Sequence, residues 1–118
     1  MTQINFNDFN KIETKVGSIL SAEPVQDSEK LLKLSVDFGE QSPRQVVSGI
    51  AKTFNPQNGG LEKLIGKQFV FVTNLEPRSI MGFESQAMIL ATKILKKEKE
   101  EIVLIKPVKK VPPGSKLG

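Results

Sequence analysis

The chain has 118 residues, 38% apolar and 25% charged, a size and balance that suit one globular domain with a real core. It contains no cysteine and no histidine, which excludes disulfides, Ser–His and Cys–His nucleophiles and the ordinary zinc ligand sets. The net charge of +4 is uneven: residues 1–60 carry net −1 and residues 61–118 net +5, which suits a polyanionic partner or, equally, an ordinary basic surface.

The N-terminal "MTQINFNDFNK" is polar and contains Asp8, so it does not read as a signal peptide. No run approaches the length of a membrane-spanning helix. A cytoplasmic location without membrane contact is therefore expected. Within this segment "FNDFNKIE" fits one helical turn capped by Asn5 or Asn7, with Phe6 and Phe9 spaced to dock on the core. "IETKVGSILSAEPV" follows as a first strand, and Gly17 marks a bulge or bend in it. "VQDSEK" is a polar turn. "LLKLSVDF" then alternates, with Leu32, Leu34, Val36 and Phe38 on one face and Lys33, Ser35 and Asp37 on the other. "RQVVSGI" is a third strand. Asn55-Pro56 and Asn58-Gly59-Gly60 are loop signals, and "LEKLIG" is a short helix stopped by Gly66. "FVFVTNL" is rich in β-branched and aromatic residues and reads as a central fourth strand. "AMILATKIL" and "EEIVLIKPV" flank the charged turn "KKEKEE" as a hairpin. "KKVPPGSKLG" cannot pair as a central strand and is expected along a surface.

The order is three strands, a short helix, a strand, a long loop and a fifth strand, with a C-terminal hairpin and tail. A five-stranded all-β OB-fold barrel over residues 1–118 fits this order. An SH3-like barrel or an open meander gives a similar count. OB folds bind oligonucleotides on the face of strands two and three and the adjoining loops. That places the stretch "NLEPRSIMGFESQAMILA", residues 74–91, at the binding rim.

Arg78 is the only arginine of the basic half, and its planar fork suits phosphate or base edges. An ion pair with Glu76 or Glu84 is the competing reading. Ser85 and Gln86 can donate and accept hydrogen bonds, and Asn74 can do both or hold a turn. Of Ile80, Met81 and Phe83, at least one is expected to be open to a partner. With no Trp or Tyr and most Phe at core-like positions, a stacking platform for single strands is disfavoured. A folded RNA read through shape and phosphates fits better.

"KVGSILSAE", "KLLKLSVDFG", "RQVVSGIA", "LIGKQFVFVTNLEPRSIMGFESQAMILA" and "VPPGSKL" together resemble the tRNA-binding domain family, from about Ile4 to Leu117. This module occurs at the C-terminus of many bacterial methionyl-tRNA synthetases and as small stand-alone proteins. The resemblance implies a non-catalytic OB barrel that needs no cofactor or metal. It implies a homodimer, with the chain ends at its interface, that binds the outside corner of tRNA without strong sequence preference. Carried over by position, tRNA contacts fall at Lys33, Asn74, Arg78, Met81 and Ser85, with Lys30, Ser48 and Gln86 as neighbours. A methionyl-tRNA synthetase catalytic domain is the implied partner. The secretion-chaperone branch, a peptide-binding alternative, carries an "NFPPR"-like block where this chain reads "NLEPR".

Overall fold

The computed structural model describes residues 1–118. In chain order, the elements are α1 (Phe6–Asn10), β1 (Thr14–Pro24), β2 (Leu32–Asp37), β3 (Arg44–Ser48), β4 (Gln68–Val72), β5 (Arg78–Ile80), β6 (Phe83–Ser85), β7 (Met88–Ile89), β8 (Ala91–Lys96) and β9 (Lys99–Leu104). Five antiparallel strands run β3-β2-β1-β4-β7 and curl into a nearly closed OB-type barrel. β1 is long enough to serve two neighbours. Its first half pairs with β4 and its second half with β2. Between them lies a bulge at Leu20, since Ile19 faces Val36 while Ser21 already faces Ser35. The bulge turns the strand around the barrel corner and leaves Leu20 exposed.

Gly17 is therefore not the bulge that the sequence led us to expect. It is a point of close approach: a Cβ there would lie 2.6 Å from the side chains of Phe38 and Val36. The strict alternation of β2 does hold, and Leu32, Leu34, Val36 and Phe38 all point into the core. They meet Ile19, Val46, Leu64 and Phe71, with Phe38 and Phe71 packed edge to face at 5.2 Å between ring centres.

Three other expectations change. The helix between strands three and four is two short 3₁₀ turns, Pro56–Asn58 and Leu61–Lys63, and Gly66 is indeed left-handed at the exit. The stretch after β4 is not an irregular loop but contains the hairpin β5–β6. Phe6 and Phe9 do not dock on the core. Asn5 caps α1 as expected, but the two rings are 70% and 50% exposed and lie 6.4 Å apart against each other. A five-residue helix ahead of an already filled barrel has no core surface left to reach.

The tail lies on a surface, as expected, and it does so by closing an edge. Residues 114–117 run along the first half of β1, where the amide of Val16 donates to the Ser115 carbonyl (2.9 Å) and that of Gly114 to the Val16 carbonyl (2.8 Å). The β8–β9 hairpin turns at Lys97-Glu98, both at positive φ, and Ile102 and Leu104 of β9 pack against the core.

The barrel closes between β3 and the segment Ser85–Ala87, where no regular ladder forms. Side chains supply it instead. The Gln45 amide donates to Gln86 Oε1 (2.8 Å) and the Val47 amide to Ser85 Oγ (3.0 Å). The Gln86 amide returns to the Gln45 carbonyl (2.8 Å). Arg44 crosses the same seam: Nη1 donates to the carbonyls of Thr73 (2.6 Å) and Gln86 (3.2 Å). Its Nε and Nη2 grip both oxygens of Glu40 at 2.9 and 2.7 Å. That hydrogen-bonded pairing holds the Glu40 carboxyl below its ordinary value of 4.5. A carboxylate with a lowered folded pKa contributes stability that is complete above the ordinary value and is lost as the pH falls through the lowered one. Glu40→Gln is therefore expected to lower the unfolding free energy measured in urea at pH 7, by about 1 kcal/mol or less for so exposed a pair. The difference from the parent chain should narrow as the pH falls below 4.5 and close once it is below the lowered value. A gap that persists undiminished at pH 3 would contradict this role.

Candidate nucleic-acid interface

The hairpin β5–β6 carries the residues that the sequence singled out. Arg78 faces Ser85, Ser79 faces Glu84 and Ile80 faces Phe83. Met81 and Gly82 form the two-residue turn, at φ 49° and 82°, the paired positive values of a type I′ turn. Glycine adopts this freely, whereas methionine there is uncommon. The turn carries Met81 off the end of the hairpin, 55% exposed, while Ile80 and Phe83 are half-buried. Met81 is thus the outward member of the apolar trio.

Lys33 of β2 holds the hairpin from the side. Its Nζ lies 4.5 Å above the centre of the Phe83 ring and 2.8 Å from Glu23 Oε1. The ring and the carboxylate fix the ammonium in place, and it is still partly exposed. Arg78 differs. It is exposed and pairs with neither Glu76 nor Glu84, since the salt bridges of the chain belong to Lys11, Lys15, Lys33, Arg44 and Lys93. Its fork is free beside a small cleft of about 70 Å³ that Ser48, Ile80 and the exposed Leu75 and Met88 also line.

Three further candidates have their side-chain polar groups engaged within the protein. Ser85 is only 8% exposed, and its hydroxyl accepts from the Val47 amide and donates to the Ala87 carbonyl (3.1 Å). Gln86 spends its amide oxygen on the seam. Asn74 accepts from the Glu13 amide (2.8 Å) and donates to the Lys11 carbonyl (2.6 Å), tying the N-terminal segment to the end of β4. Asn74 thus holds the end of β4, but through bonds to a distant segment instead of a local turn bond. Lys30 is exposed at the margin, in the β1–β2 turn, where its carbonyl accepts from the Ala51 amide (2.9 Å).

Two contributors escaped the sequence reading. Met88 was accessible to it, because Ala87 and Ile89 point inward and alternation sends Met88 out. Gln45 was not. It binds the hairpin through Nε2 to the Glu84 carbonyl (2.9 Å), a contact across 39 positions of sequence with no local signal.

The barrel, with an anchored hairpin that presents an open arginine and a methionine, defines an OB-type module with an elaborated rim. The chain belongs to the tRNA-binding domain family, whose model matches residues 14–116. It is 46% identical over 111 residues to the methionine–tRNA ligase of Methanothrix thermoacetophila, and 48% identical over 115 residues to that of Methanococcus aeolicus. These matches cover 94% and 98% of this chain but only 15% and 16% of the ligases, so the chain spans about a sixth of their length. A MetRS-related protein from Pyrococcus horikoshii superposes with a TM-score of 0.85 at 36% identity, and all of both chains is covered. The chaperone CsaA from Bacillus anthracis superposes at 0.80 and 31% identity, covering 99% of this chain and all of that one.

Ser85→Ala separates support from contact. It strands the buried Val47 amide, so a stability loss of about 1–3 kcal/mol is expected in urea unfolding. Unchanged stability would show the seam bond to be dispensable.

Proposed function

We propose that residues 1–118 act as one non-catalytic tRNA-binding unit, working in the cytoplasm with a methionyl-tRNA synthetase catalytic domain, tethered or in trans. The observation that carries this reading is the unpaired Arg78 on an anchored hairpin, in a chain of the tRNA-binding domain family. Arg78 meets a phosphate or base edge, Met81 packs on a ribose or base, and Lys33 adds a fixed positive charge. Lys30 and Ser48 extend the contact at its margin. Asn74, Ser85 and Gln86 hold that surface in shape and act through it. The contact runs mainly through the backbone at the outside corner of the L, so it is tolerant of sequence and weakens steeply with salt. A weak contact is sufficient, because attachment to a catalytic domain raises the effective concentration of tRNA.

The unit works as a homodimer, which doubles a modest basic surface. Ile4, Phe6, Phe9 and Ile12 are exposed near the N-terminus and supply apolar area for such a contact. Phe6→Ser/Phe9→Ser is expected to sediment as a monomer at micromolar concentration where the parent chain is dimeric. A monomeric parent chain would remove this part of the proposal.

Titration with bulk tRNA at several salt concentrations tests the main reading. Arg78→Ala is expected to weaken binding about tenfold or more, in keeping with loss of a charge-assisted contact of about 1.5–3 kcal/mol. Met81→Ala should cost several-fold without changing the salt slope. No binding at low salt, or indifference to both substitutions, would sink it. The exposed Leu75, Met81 and Met88, together with the likeness to the chaperone, favour one alternative, an apolar peptide site. That reading requires binding of unfolded peptides that is insensitive to salt.

A further inference from the structure

At the opposite end of β4 from the hairpin lies a larger cleft of about 620 Å³. One wall is formed by Thr53, Phe54, Lys63 and residues 66–69, and the other by β9 and the start of the tail. Five lysines line it: Lys63, Lys67, Lys106, Lys109 and Lys110. Glu101 is the one carboxylate among the lining residues, and none of the five lysines forms a salt bridge. What sets these five apart is that they converge on one opening, since other lysines without a salt bridge, such as Lys30, Lys52 and Lys116, do not line it. Five unpaired ammonium groups around one opening repel one another and raise the local potential, and a polyanion relieves that repulsion.

The cleft is also built rather than incidental. The Ile102 amide donates to Thr53 Oγ1 (3.0 Å) and fixes β9. The Gln68 side-chain amide makes two bonds to the main chain of Val111 (2.6 and 3.0 Å) and fixes the tail. Phe54, Phe69, Ile102 and Leu104 give it an apolar lining. Its volume falls in the range of pockets that hold a nucleotide-sized group, about 300–1,000 Å³.

We infer that this cleft is a second anion site that takes a run of adjacent phosphates from an RNA strand, with room for one unstacked base against the apolar lining. It rests on the RNA-binding reading above. It adds to that reading a contact displaced along β4 by about 15–20 Å, at roughly 3.3 Å per residue. The bound RNA then touches both ends of the strand, which explains why so much of the positive charge lies away from Arg78.

The test compares two charge-matched variants of the full chain. Lys67→Gln/Lys106→Gln/Lys110→Gln removes cleft charge, and Lys96→Gln/Lys97→Gln/Lys99→Gln removes as much from the β8–β9 turn. The cleft variant is expected to bind tRNA about tenfold or more weakly at low salt, with a salt slope shallower by about 2–3, the change for three lost phosphate contacts. The turn variant should stay within about threefold of the parent. Equal losses in the two would reduce the effect to net charge and overturn the site. Inorganic tripolyphosphate gives a readout that does not depend on tRNA: it should shift the amide resonances of Lys67, Phe69 and Ile102 in the parent chain and not in the cleft variant. No shift in the parent overturns the site even if tRNA binds. Shifts without any loss of tRNA affinity overturn the RNA assignment in favour of a free polyphosphate. If the parent chain binds no tRNA at all, the RNA-binding reading fails with it, and the tripolyphosphate shifts alone decide whether an anion site is present.

Discussion

The closure of the barrel between β3 and Ser85–Ala87 is the constraint on which the rest of the molecule depends. β7 is only two residues long, and the two-residue strand leaves the edge of β3 with amides that no regular partner meets. Exposed strand edges invite pairing with other chains, and buried unpaired amides are costly. Here the Ser85 hydroxyl and the Gln86 amide stand in for main-chain carbonyls, and Arg44 bridges the end of β4 to the same seam. No buried side-chain polar atom is left without a partner. The side chains that close the barrel also fix the base of the β5–β6 hairpin, so the stability of the fold and the rigidity of the rim have one cause.

That coupling gives the rim its form. A hairpin of three residues per strand is marginal in isolation. This one is held at Glu84 by Gln45, at Ser85 by Val47 and at Phe83 by the Lys33 ammonium. Its tip is then free to carry a methionine at positive φ, and its base, opposite Ser85, an arginine with no salt-bridge partner. Preorganised side chains lose less entropy on binding, which favours whatever contact the hairpin makes.

The distribution of charge follows a similar division. Carboxylates in the first half of the chain neutralise nearby cations, as Glu23 does for Lys33 and Glu40 for Arg44. Five lysines of the second half, Lys63, Lys67, Lys106, Lys109 and Lys110, gather beside β9 and the tail without salt-bridge partners. The tail itself is held along β1 by main-chain bonds that proline can only partly supply, and Gln68 adds the side-chain bonds that secure Val111. Positive charge is thereby mounted on fixed backbone at two places, not spread over flexible ends.

Much of this was legible in the sequence, where local chemistry decides local form. The alternation of "LLKLSVDF" fixed which face of β2 is buried, Asn5 marked the cap, Gly66 the exit of the short turns, and the block at 74–91 the family. What the sequence could not show were relations between distant positions. Gly17 and Leu20 exchanged roles because a close approach is set by Phe38 and Val36 from other elements. Phe6 and Phe9 proved exposed because the core was filled from elsewhere. Ser85 and Gln86 have the hydrogen-bonding groups of ligand contacts, and only the position of β3 turns them into a seam. The sequence by itself determined the strands, the family and the chemistry available at the rim, because periodicity and residue type act over a few neighbours. Only the tertiary structure decided which of those groups are spent on the protein and which remain open to a partner, because that depends on which main-chain amides a side chain meets across the barrel.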